Sequence, residues 1–443
     1  MLVSRPSSLD LLALLQCQEY LQSPEFIARR TLLDQMIDPE AYRDLFVPGV
    51  GRPSWPVSVM LRAIYLQKEE GWSDRRLVGE LHDNQRVRLL VGLPAYGKSP
   101  KRSAIMDFRR RLLETGQHTL AFRQQQLFLA QTGLIDQADP LTIDSTPYLT
   151  AAAQPTVVGL LQHAMRRFWL ALRNWDAALA AQIRDRLHLE AWCQPRFQRC
   201  SAGLHSRQGR RLWQRYFQKS TALLKAVPIT DNRAVEDARS LLVRVRAERG
   251  PQGTDTPPDR ITNAMDGRAR FGCKGKGSSK RTWHGYKATL ITHAATDLIL
   301  SVDVMPAQHV DGDALVPAVD ALAPAFSHPR TLDGDEAYTS QGNRREMRKV
   351  GVCLIGPRTT KRRRGQVPGG GRVAKRVDRA RRSRIEHVVA HVVRWRHNRR
   401  SPYIGLRKAW LQAAFAVCAA NLVRLLTLWR EHRLELPGLQ PAA

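Results

Sequence analysis

The chain has 443 residues, 43% hydrophobic and 25% charged, enough to bury a substantial core and to form two or three domains. Lys plus Arg number 70 against 40 Asp plus Glu, a net charge of +30, which points to a polyanionic partner and fits a nucleic acid better than a membrane. Six scattered cysteines without an export signal exclude a disulfide framework and predict a cytoplasmic location.

Residues 8–133 carry helical signals, with apolar residues recurring at three and four and with Pro, Gly and Asp between them. Within this region, 55–66, the turn 71–74 and 75–84 have the length of a helix-turn-helix, with Ser73 or Asp74 as the cap of its second helix. Arg75, Arg76, Arg86 and Arg88 either meet phosphate there or are the solvated arginines of a plain bundle; periodicity alone leaves both readings open.

At Pro140 the period changes. Residues 141–144 are short and β-branched, and the reading ends this strand before Pro147. A helical insert over about 150–250 follows, whose aromatic residues Phe168, Trp169 and Trp175 are read as helix packing. Cys193, Cys200 and His205 lack the paired spacing of a zinc site. After a Gly, Pro and Asp linker over 250–259, strands over 285–291 and 298–304 form a hairpin turned by Asp297. A helix over 313–323, a strand over 331–335, a helix over 341–350 and a strand over 352–355 come next.

Residues 358–400 hold sixteen Lys or Arg and two Asp or Glu, whereas 1–50 hold four and seven. Arg362, Arg363 and Arg364 in this stretch are read as contacts to a nucleic-acid backbone rather than to bases. A helix over 380–396 follows, and the apolar run over 409–429 is read as a buried core helix, since Gln412, Asn421 and Arg424 would be costly in lipid. The order of elements predicts an α/β fold: a mixed sheet flanked by helices, an all-α N-terminal domain and a helical insert after the first strand.

Three acids carry the chemistry. Asp144 and Asp335 stand at apparent strand ends, where open α/β sheets place their sites, and Asp335 has local rivals in Asp333 and Glu336. Glu386 is expected on the inward face of its helix with Val389, Ala390 and Val393, a costly place for an acid unless a cation meets it. The three together suit two Mg²⁺ or Mn²⁺ ions acting in phosphodiester displacement.

In Thr142-Ile-Asp144-Ser-Thr, Gly334-Asp335-Glu-Ala-Tyr338-Thr-Ser340 and Arg384-Ile-Glu386, supported by 266–275, 284–288 and 53–93, the chain resembles bacterial insertion-sequence transposases of the DDE type. Tyr338 and Ser340 favour Asp335 over its rivals. The resemblance implies a ribonuclease H-like catalytic domain over 136–430 with its insertion at about 150–250, a helical DNA-binding domain over 1–135 and a tail over 431–443. It further implies metal-dependent cleavage at element ends and strand transfer by a freed 3′ hydroxyl. Asp144, Asp335 and Glu386 would be the catalytic metal ligands. Double-stranded DNA, as terminal repeats and target, would be the partner of a homodimer or larger assembly. Phosphate contacts are expected from Arg268, Arg270, Lys274, Lys287, Arg382 and Arg384. A DNA-binding protein without catalysis and a ribonuclease H-like nuclease without strand transfer are the competing readings.

Overall fold

The computed structural model describes residues 17–46, 53–136, 138–152, 154–189, 202–251, 259–275, 278, 280–322, 325–356, 383–395 and 400–441. Arg362, Arg363, Arg364 and Arg382, as well as Cys193 and Cys200, lie outside the described residues.

The N-terminal part is helical: α1 (Gln18–Gln22), α2 (Pro24–Met36), a 3₁₀ turn (Pro39–Leu45), α3 (Val57–Glu70), α4 (Asp74–Asp83), α5 (Gln85–Val91), α6 (Arg102–Glu114) and α7 (Leu120–Gln131). Helix α3 stops because Gly71 takes the left-handed conformation, φ 67°, which glycine adopts without a Cβ penalty. Ser73 then opens α4, its Oγ accepting from the Arg76 amide at 3.2 Å. Asp74 is therefore not the cap. Its carboxylate accepts from Gln67 and Arg109, both at 2.8 Å. Of the four arginines left open between phosphate contact and solvation in this region, Arg88 is neither: it is fully buried and donates to the carbonyls of Leu81, Pro94 and Gly97, so it supports the fold.

Strand β1 runs Leu141–Leu149, longer than expected, and passes through Pro147. Strand β5 pairs only with Leu141 and Thr142, so near Pro147 the ladder of β1 is with β3, and a residue without an N–H is tolerated on such an edge. The insert follows as α8 (Val157–Trp175), α9 (Ala177–Leu187), α10 (Arg207–Ala226) and α11 (Arg233–Arg249). It closes its own core around Phe168, Trp169, Trp213 and Leu242, while Trp175 is exposed.

Among the described residues the sheet has six strands. Besides β1 these are β2 (Arg270–Lys274), β3 (Arg281–His293), β4 (Ile299–Pro306), β5 (Thr331–Asp333) and β6 (Cys353–Ile355). The order is β2-β3-β1-β5-β6, with β4 also on β3. Pairing is antiparallel between β1 and β3, β2 and β3, and β3 and β4, and parallel from β1 through β5 to β6. The β3–β4 turn holds Asp297 at φ 61°. Where one helix was expected over 313–323, a 3₁₀ turn (Asp311–Ala314) leads into the short α12 (Leu315–Asp320). Helix α13 (Gln341–Lys349) links β5 to β6.

Near the C-terminus come α14 (383–390), a π turn (His391–Trp395) and α15 (Leu406–Arg430). Helix α15 is long and apolar enough to cross a membrane, but 83% of its most apolar window is buried inside the protein. It packs on α2, α3, α7 and β4 within one core shared by the N-terminal helices and the sheet. Its Asn421 is satisfied there: the amide donates to Gln125 at 2.9 Å and to the Ile299 carbonyl at 2.8 Å, and accepts from the Ile299 amide at 2.8 Å.

Candidate active site

Asp144 lies within β1 opposite Leu290 of β3 rather than at the strand's end. Asp335 follows β5 by two residues, in the turn leading to α13. Parallel pairing of β5 with the start of β1 brings the two together. Gly334 makes the approach close, since a Cβ there would stand 3.2 Å from Ile143 Cγ2 and 3.0 Å from Tyr338 Cβ. Both carboxylates are half-buried, and each accepts a local amide: Asp144 from Ser145 at 2.7 Å, Asp335 from Ala337 at 2.9 Å.

A third carboxylate joins them that the sequence reading passed over. Asp311 accepts from the Ser145 hydroxyl at 2.7 Å and pairs with Lys287 at 2.5 Å. The signal available was Val310-Asp-Gly-Asp313, a turn sequence just after a hairpin. Asn343 ties the Asp311 turn to the Asp335 turn: its side-chain amide donates to the carbonyls of Gly312 at 3.1 Å and Tyr338 at 2.8 Å.

Burial is the main force that pushes the Asp144 carboxyl up to about 6. The Ser145 amide and Lys274 pull it down, and the negative charges of Asp335 and Asp311 push it up. Tyr338, fully buried beside Ser145, keeps its hydroxyl proton far above the ordinary tyrosine range, through burial first and through the charges of Asp311, Asp144 and Asp335.

The phosphate-contact residues divide. Arg268 and Lys274 are exposed, and Lys274 acts on Asp144. Lys287 is buried, donating to the His309 carbonyl at 2.8 Å besides pairing with Asp311, and Arg270 is buried against Asp259 at 2.8 Å and the carbonyls of Gly267 and Ala269. Both are held inside the protein rather than presented to a ligand. Arg384 is exposed and anchors α14 to the β3–β4 turn through the Ala294 carbonyl at 3.2 Å and Asp297 at 3.5 Å.

Glu386 departs from the inward placement expected of it. It is exposed, and the buried stripe of this segment runs through Ile385 and Val392, with Val388 and Val389 partly buried. His387, Val388 and His391 border a crevice with Asp297, Ile299 and Asn421. Among the described residues, no three His, Cys, Asp or Glu side chains stand close enough to hold one ion.

The pair Asp144 and Asp335 nevertheless fits a hard divalent cation. Such ions are held by one or two carboxylates completed by water and substrate oxygens, and a half-buried acid pressed by two other carboxylates gains from a positive neighbour.

Residues 252–422 match the family described as Transposase DDE domain, and residues 18–111 match the family described as Transposase domain (DUF772). The first match includes Asp335 and Glu386; Asp144 precedes it. No curated protein and no solved structure matches the chain.

Proposed function

We propose that the chain, an insertion-sequence transposase of the DDE type by its two family matches, cuts DNA at the ends of its element and joins the freed 3′ hydroxyl to target DNA in a metal-dependent reaction. The observation that carries this reading is the convergence of Asp144 and Asp335 from strands adjacent in the sheet, beside Asp311 and a fully buried Tyr338. Mg²⁺ or Mn²⁺, as two ions held by Asp144, Asp335 and Glu386, would activate the attacking oxygen and stabilise the leaving one. Ser145 and Asn343 keep the carboxylate turns in place, and the exposed Lys274, whose charge acts on Asp144, is assigned to the approaching phosphate. Glu386 enters this set through its motif, and Arg268, Arg384 and the basic stretch holding Arg362, Arg363, Arg364 and Arg382 are assigned to the DNA backbone.

The ribonuclease H-like reading of the catalytic domain is supported by a sheet that is antiparallel on one side of β1 and parallel on the other. In this proposal residues 1–135 bind DNA, 136–430 form the catalytic domain with its insertion over about 150–250, and 431–443 are a tail. The protein acts in the cytoplasm as a homodimer or larger assembly on double-stranded DNA.

The test is Mg²⁺-dependent nicking of a duplex carrying the element's end. Asp144→Ala, Asp335→Ala and Glu386→Ala should each abolish it while DNA binding stays near normal. Nicking that survives all three changes removes the reading. The exposure of Glu386 favours a second reading, a DNA-binding protein without catalysis. That reading is eliminated if the unaltered protein nicks the duplex only when Mg²⁺ or Mn²⁺ is present.

A further inference from the structure

Helix α10 of the insert presents two opposed faces. At 100° per residue, Gly209, Trp213, Ser220 and Leu223 cluster on one side and are buried. Arg207, Arg211, Arg215 and Lys225 are exposed on the other, within about 80° of arc, with the exposed Gln218 among them and the exposed Gln214 about 20° beyond. The helix contains no Asp or Glu. From Arg207 to Lys225 this face is about 27 Å long.

The cations of the neighbouring α11 behave differently, because Arg233 pairs with Asp237, Arg239 with Glu236, and Arg244 with both Glu248 and Asp259. Among the described residues, none of the four α10 cations has an acidic partner. Arg207, Arg211 and Arg215 follow one another at i,i+4, a like-charge row that costs helix stability. A row that repels itself, is left unneutralised and is carried on a separately cored unit is complementary to a regular array of negative charge.

We propose that this face of α10 binds the phosphate backbone of duplex DNA, making the insert a further DNA-binding surface, in addition to residues 1–135, the basic stretch and the site that holds the acids. The side-chain amides of Gln214 and Gln218 add neutral donors to the same face. This rests on the transposase reading for its partner, and it adds which part of the chain grips that partner.

The test measures binding of the full chain to a labelled duplex of random sequence as salt is varied. Removing one phosphate-binding cation should reduce the slope of log K against log salt by about 0.9, so Arg207→Gln, Arg211→Gln, Arg215→Gln and Lys225→Gln together should reduce it by about 3 to 4. Affinity at moderate salt should fall between about 10- and 1000-fold. The single changes Arg211→Gln and Lys225→Gln should each remove about one unit of slope, which keeps the test decisive if the fourfold variant folds poorly. Arg233→Gln with Arg244→Gln, on paired positions, should leave the slope unchanged.

An unchanged slope in the α10 variants, with the unaltered protein binding the duplex normally, overturns the inference and leaves the proposed function standing. Failure of the unaltered protein to bind any duplex overturns both. Preference for an RNA hairpin over the duplex, abolished in the α10 variants, overturns the assignment to DNA.

Discussion

The Ser145 hydroxyl donates to Asp311 Oδ1 over 2.7 Å, a bond between residues 166 positions apart in the chain. The Ser145 amide meanwhile donates to Asp144. One residue thus holds two carboxylates that come from a central strand and from a turn after the hairpin.

Ser145→Ala should therefore separate stability from chemistry. The variant lacks one hydrogen bond to a partly buried acid, at a cost of about 0.5–1.5 kcal/mol. Misplacement of the acids should lower the nicking rate far more, on the order of 10²-fold. Urea unfolding and the nicking rate, measured on the same preparation, check the split; equal, small effects on both would remove Ser145 from any positioning role.

Asp311→Asn should be the more destabilising change. The Lys287 side chain is only 9% exposed, and without Asp311 its charge would stand unpaired inside the protein. The expected cost is about 2–4 kcal/mol, and most of it should return when Lys287→Met is added, since no buried charge then remains unpaired. A double-mutant cycle in urea measures this, and additive losses would contradict it.

Arg109 joins the N-terminal helices to the segment that precedes α15. It donates to Asp74 and Tyr403 at 2.8 Å and to Gln67 at 2.5 Å, with a side chain 7% exposed. Arg109→Ala should cost about 2–4 kcal/mol and Tyr403→Phe about 1 kcal/mol. Thermal unfolding should show one transition moving down in both variants.

Stability should also depend on two histidines, the buried His293 and the half-buried His284. Burial depresses His284 and His293 below the ordinary value of 6.5, with Asp266 and Asp139 respectively opposing it. The unfolded chain therefore binds protons that the folded chain refuses. Their contribution is fully present above pH 6.5 and is lost as pH falls from there toward the depressed folded values. Melting temperatures followed from about pH 7 to pH 5 should fall, and His293→Gln should flatten that fall.

Much of the fold was legible in the sequence because local chemistry dictated it. Gly71 and Ser73 punctuate α3 and α4, alternation and Asp297 mark the β3–β4 hairpin, and the polar groups in α15 mark it as a core helix. What escaped was set by partners remote in sequence. Strand β2 exists through its pairing with β3, and β1 continues past Pro147 because of how its edges are paired. Arg270 and Lys287 read as free cations because nothing local announces Asp259 or Asp311. For Glu386 the spacing to Val389, Ala390 and Val393 was sound, yet Ile385 and Val392 decide which way the segment turns. Asp144 and Asp335 were legible as acids near strands; the sheet pairing that joins them was not.

The placement of α15 has a consequence for how the protein is made. The apolar faces of α2, α3 and α7 are completed by residues 406–430, the last long helix of the chain. At roughly 5–20 residues per second, the ribosome needs about 15–60 s after α7 emerges to deliver that helix. Through that interval the N-terminal helices wait with their hydrophobic surface open, whereas the insert, with its own core, can fold as soon as it leaves the ribosome. Chains cut short before residue 406 would be left in that waiting state, prone to aggregation and chaperone capture.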